Sequence, residues 1–362
     1  MNQLYLILEN GMVFAGQSFG TEGDVTGEIV FTTGMTGYLE TLTDQSYHGQ
    51  IVLQTFPLIG NYGVIPADFE SSSLGPLGYI VKTPCQAPSN FRSEGTLGTF
   101  LKEKGIVGLC NIDTRALAKI IREQGVMNGR ITRKRPEEIS LAEISTYKIK
   151  GAVPKVSCTK PTLYRAEGAK YTVALFDFGL KENIKRELLK RGCNVWVLPC
   201  ATSCDEVLRL GVDGIMLSNG PGDPAENTGL IKIIKQLLQT GLPIFGICLG
   251  HQLLALANGF KTYKLKYGHR GANQPVKDLQ SGRVYISSQN HGYAVRQDSI
   301  DRHKAAEWFV NVNDGSCEGI WYKHIPAFSV QFHPEACGGP QDTAFLFDLF
   351  VERMEERTHA AG

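Results

Sequence analysis

A cysteine between two glycines is the first feature of this 362-residue chain that could do chemistry. Cys248 lies in the stretch Gly246-Ile247-Cys248-Leu249-Gly250, after an apolar run and before a predicted helix. This pattern predicts a sharp strand-to-helix turn that holds the thiol above a sheet, with glycines where side chains would collide. The free N–H groups of the helix favour a thiolate there. Most buried cysteines are inert, but this context predicts a nucleophile.

His333 and Glu335 could supply the partners that a thiolate nucleophile needs. A base must take up and return a proton, and a third group must orient that base. The pair follows an alternating strand predicted over 328–333, and Pro334 keeps His333 extended, so both side chains are expected to project the same way. The His-x-Glu pattern alone is weak evidence, and the cysteine elbow gives it weight.

The loop Ser218-Asn219-Gly220-Pro221-Gly222-Asp223-Pro224 is the third candidate. Two glycines around a proline form an efficient turn, and in isolation that is the simplest interpretation. The same loop also leaves backbone N–H groups able to face a ligand, as an oxyanion hole requires.

Alternating strands and helices in the second half of the chain would position these groups. Helices are predicted over 183–189, 231–238 and 253–257, and strands over 172–179, 195–199, 214–218 and 243–247. Near-continuous apolar strands joined by helices predict an α/β domain with a mainly parallel sheet covered on both faces. Sites in such sheets lie at the carboxyl ends of the strands, where all three candidates fall.

The first 150 residues have a different pattern, with short strand-like runs separated by glycine. We predict a mixed, β-rich domain over 1–150 with one helix that Asp113 caps and Gly125 ends. Glycines, prolines and scattered charges over 151–170 predict a linker, and the α/β domain is expected over 171–357.

Composition limits the classes of function. Lys+Arg of 37 against Asp+Glu of 36 gives a net charge of +1, which argues against a nucleic-acid binder, although residues 115–150 hold nine Lys/Arg against four Glu. The longest apolar run falls short of the roughly 20 residues that cross a bilayer, so we expect no membrane partner. Nine cysteines without a CxxC pair and a beginning without a basic leader predict the cytoplasm and no metal site.

The three motifs together resemble the class I glutamine amidotransferase family over about 171–357. The resemblance implies that Cys248 is the nucleophile, His333 the general base and acid, and Glu335 the group that fixes the imidazole. It implies that Gly220 and Leu249 offer oxyanion N–H groups. Further family positions that hold L-glutamine match Ser46, Gly222, Gln252, Asn290, Gly292 and Tyr293.

Segments 32–38, 42–47, 108–115 and 268–276 are similar to the small-chain family of carbamoyl phosphate synthetases. This resemblance implies a heterodimer with a large subunit that uses ammonia, bicarbonate and ATP for arginine or pyrimidine synthesis. It places ATP and Mg on that subunit and no cofactor in this chain, which has no phosphate-binding Gly-x-x-x-x-Gly-Lys loop. Ser46 would reach the glutamine site from the first domain. Tyr293 and Gln274 differ from the family's more frequent Phe and His.

Two other classes of function stay open at this point. A stand-alone thiol hydrolase or peptidase on a related fold would need neither the first domain nor Ser46. A non-catalytic regulatory chain would have no use for an intact Cys248, His333 and Glu335. If the chain does join a synthetase, the basic region 115–135 is our candidate for the docking surface.

Overall fold

The chain folds into two units, with the boundary after Lys150. Short apolar runs bounded by glycine form the strands of both. The computed structural model describes residues 2–336 and 338–361. The first unit spans Met1–Lys150 and the second Gly151–Gly362, and each has its own buried core.

A closed barrel forms the first unit. The strands of this unit are β1 Gln3–Leu8, β2 Val13–Ser18, β3 Val25–Thr32, β4 Gln50–Gln54, β5 Leu58–Ile59, β6 Gly78–Ile80, β7 Thr83–Pro84, β8 Val107–Cys110 and β9 Met127–Thr132. Strands β5 and β7 form a separate two-stranded sheet, and the others form the barrel. Among the described residues, the barrel order is β1-β2-β8-β6-β4-β3-β9, with β9 pairing back onto β1. Leu4, Leu6 and Leu8 are fully buried because alternate residues of a strand point to one face.

Short helices cover this barrel: α1 Tyr38–Thr43, α2 Leu97–Glu103, α3 Thr114–Gln124 and α4 Leu141–Ser145. Helix α3 confirms the helix predicted from its caps. The Asp113 side chain accepts a hydrogen bond from the Ala116 N–H, and Gly125 ends the helix with a φ of 98°. Leu117 and Ile121 bury the face that packs on the barrel.

One large sheet runs through the second unit. Its strands are β10 Thr162–Tyr164, β11 Tyr171–Asp177, β12 Cys193–Pro199, β13 Gly214–Leu217, β14 Ile244–Ile247, β15 Thr262–Asp278, β16 Val284–Val295, β17 Ala305–Asn311, β18 Cys317–Tyr322 and β19 Ala327–Val330. Their order is β10-β12-β11-β13-β14-β19-β18-β17-β15-β16. The parallel part runs from β12 to β19, as predicted, and the remaining pairings are antiparallel, which the sequence pattern did not indicate.

Helices cover both faces of that sheet: α5 Ala152–Val156, α6 Glu182–Lys190, α7 Cys204–Arg209, α8 Thr228–Leu237, α9 Leu249–Ala257 and α10 Phe345–Ala361. Strand β11 shows why its apolar run is continuous. Ala174 and Phe176 enter the core on one face, whereas Val173 and Leu175 enter the core on the other. The α/β class with a β-rich first part is thereby confirmed.

Residues 151–170 correct one prediction. They are part of the second unit, not a separate linker. Val153 on α5 is 1% exposed within the core, and β10 adds an antiparallel strand to the edge of the sheet beside β12. Glycine and proline here mark tight turns between short elements, a pattern that resembles a linker in sequence.

Within the described residues, every helix is too short or too polar to span a bilayer. The eight cysteines that the structure describes are free thiols. Cys337 lies outside the described residues.

Candidate active site

Cys248 occupies the turn between β14 and α9 with a φ of 54° and a ψ of −103°. A residue with a side chain rarely adopts positive φ, and the strain costs on the order of 1–3 kcal/mol. Its N–H donates to the Val330 carbonyl at 2.9 Å, so the neighbouring strand β19 holds the turn in place. The side chain is 2% exposed. The predicted elbow is therefore present, with the sulphur at the carboxyl end of a parallel strand.

The two glycines of the elbow have no room for a side chain. A Cβ on Gly250 would lie 2.3 Å from the Leu217 carbonyl oxygen, and one on Gly246 would lie 2.9 Å from the Gly250 backbone. Helix α9 consequently starts close above the ends of β13 and β14. The Gly250 N–H donates to the Ser218 carbonyl at 3.0 Å, which joins the elbow to the loop 218–224.

His333 and Glu335 form the buried pair that their spacing predicts. His333 Nδ1 lies 2.7 Å from Glu335 Oε1, and both residues are at most 2% exposed. Strand β19 ends at Val330, earlier than the strand predicted from the sequence. His333 is held beyond the strand end because its N–H donates to the Ser288 carbonyl at 2.9 Å. The Glu335 carboxylate thus orients the imidazole ring, and β16 holds the His333 backbone.

The charges of this site act on the histidine in opposite directions. Burial and the Lys181 ammonium lower the pKa of His333, but the Glu335 carboxylate and the Cys248 sulphur outweigh them and raise it to about 9. Burial raises the pKa of Glu335, yet His333 and then Lys181 hold it below its ordinary value. Lys181 Nζ lies 3.8 Å from Glu335 Oε1. At neutral pH the pair is therefore an imidazolium and a carboxylate.

The imidazole of His333 has a second nitrogen that Glu335 does not bind. Among the described residues, His333 Nε2 is buried without a partner at hydrogen-bonding geometry. The Cys248 sulphur is close enough to act electrostatically on the imidazole. The Cys248 thiol also donates a weak hydrogen bond to the Asn290 carbonyl oxygen at 3.7 Å. Cys248 is thus brought together in one buried site with a histidine–glutamate pair that lies far from it in the sequence.

The two donors predicted for the oxyanion lie at the start of α9 and in the adjoining loop 218–224. The Leu249 N–H is the first of α9 and follows Cys248 directly, and a Cβ on Gly220 would lie 2.7 Å from the Leu249 side chain. Within the described part of the chain, neither the Gly220 nor the Leu249 N–H makes a hydrogen bond. The Phe178 carbonyl oxygen would lie 2.2 Å from that Cβ, so only glycine fits at 220. An acyl oxygen bound to the sulphur could accept from such donors.

The other positions implied for glutamine binding in the second unit surround the elbow. Gln252 is buried on α9, and its Nε2 donates to the Tyr293 carbonyl at 2.8 Å and to Gln331 Oε1 at 2.9 Å. Asn290, Gly292 and Tyr293 lie on β16, the strand that contacts the sulphur. Gln252 therefore uses its two amide hydrogens to join β16 to the residue that follows β19.

Gly222 and Ser46 complete the predicted set. Gly222 has a φ of 89° in the loop after β13, a conformation that favours glycine. Ser46 lies in the first unit, in the 3₁₀ turn Gln45–Tyr47, and its N–H donates to Asp44 Oδ1 at 2.9 Å. It is partly buried there. Its role toward glutamine stays a prediction of the family resemblance.

Lys181 and a cluster of three polar residues were not predicted from the sequence. Lys181 follows β11 and acts on the His333–Glu335 pair, and the only signal for it was its position after a parallel strand. His269, His291 and Glu318 form a buried cluster on β15, β16 and β18. Their separation along the chain gives no pattern from which the cluster could be found.

Comparison with known families divides the chain as the fold does. Residues 174–353 match the family described as Glutamine amidotransferase class-I. Residues 6–131 match the one described as Carbamoyl-phosphate synthase small chain, CPSase domain. The first match contains Cys248, His333 and Glu335, and the second contains Ser46.

Whole-chain relatives carry both parts. A carbamoyl phosphate synthase small chain of Bacillus cereus is 50% identical over 97% of this chain and 95% of its own length. One of Streptococcus pneumoniae is 48% identical over 98% of both chains. A pyrimidine-specific small chain of Halalkalibacterium halodurans is also 48% identical over 98% of both. At this identity over nearly the full length, the chain belongs to the carbamoyl phosphate synthase small chain family, with a class I glutamine amidotransferase domain.

Proposed function

We propose that this chain hydrolyses L-glutamine at Cys248 and passes the ammonia to a large synthetase subunit, which makes carbamoyl phosphate. The observation that carries this proposal is the strained, buried Cys248 beside an imidazole whose other nitrogen is bound to a buried carboxylate. A nucleophile, a base and an orienting group in that order are what acyl transfer from an amide requires.

The first half of the reaction releases ammonia. The Cys248 thiolate attacks the side-chain amide carbon of glutamine, and the carbonyl π electrons move onto oxygen. The N–H groups of Gly220 and Leu249 stabilise that oxyanion, a contribution of about 10²-fold or more in rate for each donor. The His333 imidazolium then gives its proton to the leaving nitrogen, and the carbon–nitrogen bond breaks. The products are ammonia and a γ-glutamyl thioester on Cys248.

The second half restores the enzyme. Neutral His333 takes a proton from water, and the resulting hydroxide attacks the thioester carbon. The carbon–sulphur bond breaks, glutamate leaves, and Cys248 returns as thiolate beside the imidazolium. The Glu335 carboxylate keeps one imidazole nitrogen protonated and the other directed to the reacting atoms throughout.

The relatives' names support a partner subunit. A small chain implies a large one, and we place ATP, Mg and bicarbonate chemistry there. One relative is named pyrimidine-specific, which supports pyrimidine synthesis as one destination, and arginine synthesis is the other. A contribution of Ser46 to glutamine binding and a cytoplasmic location are parts of the same proposal.

The decisive experiment uses Cys248→Ala assembled with the large subunit. We expect glutamine-dependent carbamoyl phosphate synthesis to disappear while synthesis from added ammonia continues, because only the glutaminase step needs the thiol. Loss of both activities in a correctly assembled complex would overturn the assignment. Cys204→Ala, a partly buried cysteine on α7, is the matched control and should retain both.

A peptide panel tests the alternative of a general thiol hydrolase. We expect ammonia release from glutamine and no cleavage of peptides by the same preparation. Peptide cleavage that depends on Cys248 would favour the hydrolase instead.

A further inference from the structure

Three ligand groups meet in the second unit, outside the residues that perform the acyl transfer. His269 on β15 pairs in register with His291 on β16, and Glu318 projects from β18. One nitrogen or oxygen atom from each lies within 4.8 Å of the others. Glu318 Oε1 is 3.3 Å from His269 Nδ1 and 3.9 Å from His291 Nε2. Three different strands therefore direct these atoms to a single point.

The second nitrogen of each imidazole is already engaged. His269 Nε2 lies 2.9 Å from Asp314 Oδ2, and His291 Nδ1 lies 2.8 Å from the Tyr293 carbonyl oxygen. When each ring is neutral, its N–H donates a hydrogen bond to that acceptor, and the lone pair of the other nitrogen faces the cluster. Histidines that bind metals in proteins are oriented in this way by a carboxylate or a carbonyl.

Two polar atoms of the cluster lack a hydrogen-bond partner among the described residues, while Glu318 Oε1 accepts from Asn311 Nδ2 at 3.3 Å and His291 Nε2 lies 3.1 Å from Gln289 Oε1. Glu318 is fully buried, and its Oε2 has no hydrogen-bond partner among the described residues. His269 Nδ1 is likewise buried without a partner at hydrogen-bonding geometry in the described part of the chain. A buried carboxylate oxygen left without a partner is costly, so a bound cation would stabilise this arrangement.

We propose that His269, His291 and Glu318 bind one divalent transition-metal ion, with Zn²⁺ as the best fit. Two imidazole nitrogens and one carboxylate are the donors that Zn²⁺ accepts, whereas Mg²⁺ and Ca²⁺ prefer sites made of oxygen. Tetrahedral bonds of about 2.0–2.2 Å separate ligand atoms by about 3.4 Å. Glu318 Oε1 lies 3.3 and 3.9 Å from the two imidazole nitrogens, and the three atoms, which lie within 4.8 Å of one another, would move slightly closer around an ion. Gln289 Oε1, 3.1 Å from His291 Nε2, could become the fourth ligand.

A proton on His269 competes with a metal ion for this cluster. Burial lowers the pKa of His269, but Asp314 and Glu318 outweigh it and raise that pKa to about 9. The ring can therefore carry a proton between two carboxylates when metal is absent. The metal ion must displace that proton, and the experiment has to separate the two occupants.

The site would fix the strand that contacts the nucleophile. Asn290 and Gly292 flank His291 on β16, and the Asn290 carbonyl accepts from Cys248. The proposed ion would join β15, β16 and β18 behind that contact. It would stabilise the strand without touching the reacting atoms.

Binding of Co²⁺ to the full chain tests the proposal. The Cys248→Ser variant is the starting protein, so that the nucleophile cannot bind the ion. We expect one equivalent of Co²⁺ with the intense visible absorption of a tetrahedral site, no sulphur charge-transfer band, and displacement by Zn²⁺. Absence of binding at up to about 1 mM Co²⁺ would overturn the proposal and leave the proton as the occupant.

Matched variants locate the ion. His269→Gln should weaken binding at least 100-fold, and Asp314→Asn, which changes only the group that orients His269, should weaken it about 10- to 100-fold. His303→Gln on the surface should bind as the starting protein does. Unchanged affinity in His269→Gln would overturn the site. Asp314 is partly exposed, so its variant keeps the test valid if a more buried substitution prevents folding.

Discussion

The protonation of His333 depends on a few neighbouring residues. Glu335 and Cys248 raise its pKa, while burial and Lys181 lower it, and the balance leaves a proton on the ring up to about pH 9. In the proposed mechanism, this proton goes to the leaving ammonia. The pH profile of the glutaminase therefore reports directly on these neighbours.

Changing Glu335 to Gln should lower both the rate and the upper pH limit. In the unchanged protein, kcat/KM for glutamine should fall above an apparent pKa of about 9, where the imidazolium is lost. Glu335→Gln removes a negative charge that favours the imidazolium, so this high-pH limb of the kcat/KM profile should move to lower pH. We expect kcat/KM to drop on the order of 10²-fold. A limb that stays in place would show that another group titrates there.

Changing Lys181 to Met should move the same limb the other way. The ammonium disfavours the imidazolium, so its removal raises the pKa of His333 and extends activity to higher pH. Lys190→Met is a matched control, because Lys190 is exposed on α6 and, within the described part of the chain, forms an ion pair with Glu187 only. Its profile should not change. A shift to lower pH in Lys181→Met would contradict the sign of the interaction.

At the scale of elements, the strand-to-helix turn stores strain that the surrounding backbone maintains. Cys248 keeps its positive φ because β19 binds its N–H and because the two glycines let α9 approach β13 closely. Strand β16 is last in hydrogen-bonding order, yet it returns to the elbow through Ser288, which bridges to His333. The position of the nucleophile is thus a property of four strands and a helix.

Gly250→Ala tests how tightly the elbow is packed. Its Cβ would meet the Leu217 backbone, which cannot move aside as a side chain can. We expect unfolding free energy to fall by about 2–4 kcal/mol and glutaminase activity to be lost. Gly229→Ala on α8 has open space around its Cβ and should be about 0.5–1 kcal/mol more stable than the unchanged chain. Thermal unfolding compares the two.

At the scale of the whole molecule, the chain joins a barrel in the carbamoyl-phosphate synthase small-chain region to a class I glutamine amidotransferase domain. The basic excess over 115–150 falls in the barrel unit and is partly neutralised there. Arg130 pairs with Asp24 and Glu143, and Arg133 pairs with Glu22. Arg115 and Arg122 are exposed on one face of α3 and are the better candidates for an interaction with the large subunit.

Reversing those two charges should weaken assembly. We expect Arg115→Glu combined with Arg122→Glu to raise the Kd for the large subunit at least tenfold, about 1.4 kcal/mol. The exposed pair Lys232→Glu and Lys235→Glu on α8 makes the same change in net charge and should have little effect. Equal weakening by both pairs would indicate only long-range electrostatics.

The sequence alone indicated much of the fold because local signals agreed with tertiary packing. Asp113 and Gly125 mark the two ends of a helix because they cap it. The parallel strands appear in the sequence as apolar runs because both of their faces are buried. The antiparallel half of the sheet and the structure of segment 151–170 were not predicted. Their elements are irregular or short, so long-range pairing outweighs their local pattern.

What the sequence determined by itself was the chemistry available: a cysteine in a glycine elbow, a His-x-Glu pair and a loop of backbone donors. These motifs are local, since turn geometry and strand alternation fix them within a few residues. Only the tertiary structure decided which groups meet. It set Lys181 beside Glu335 and gathered His269, His291 and Glu318 from three strands. Such contacts depend on strand order and register, which the sequence pattern of each strand does not record.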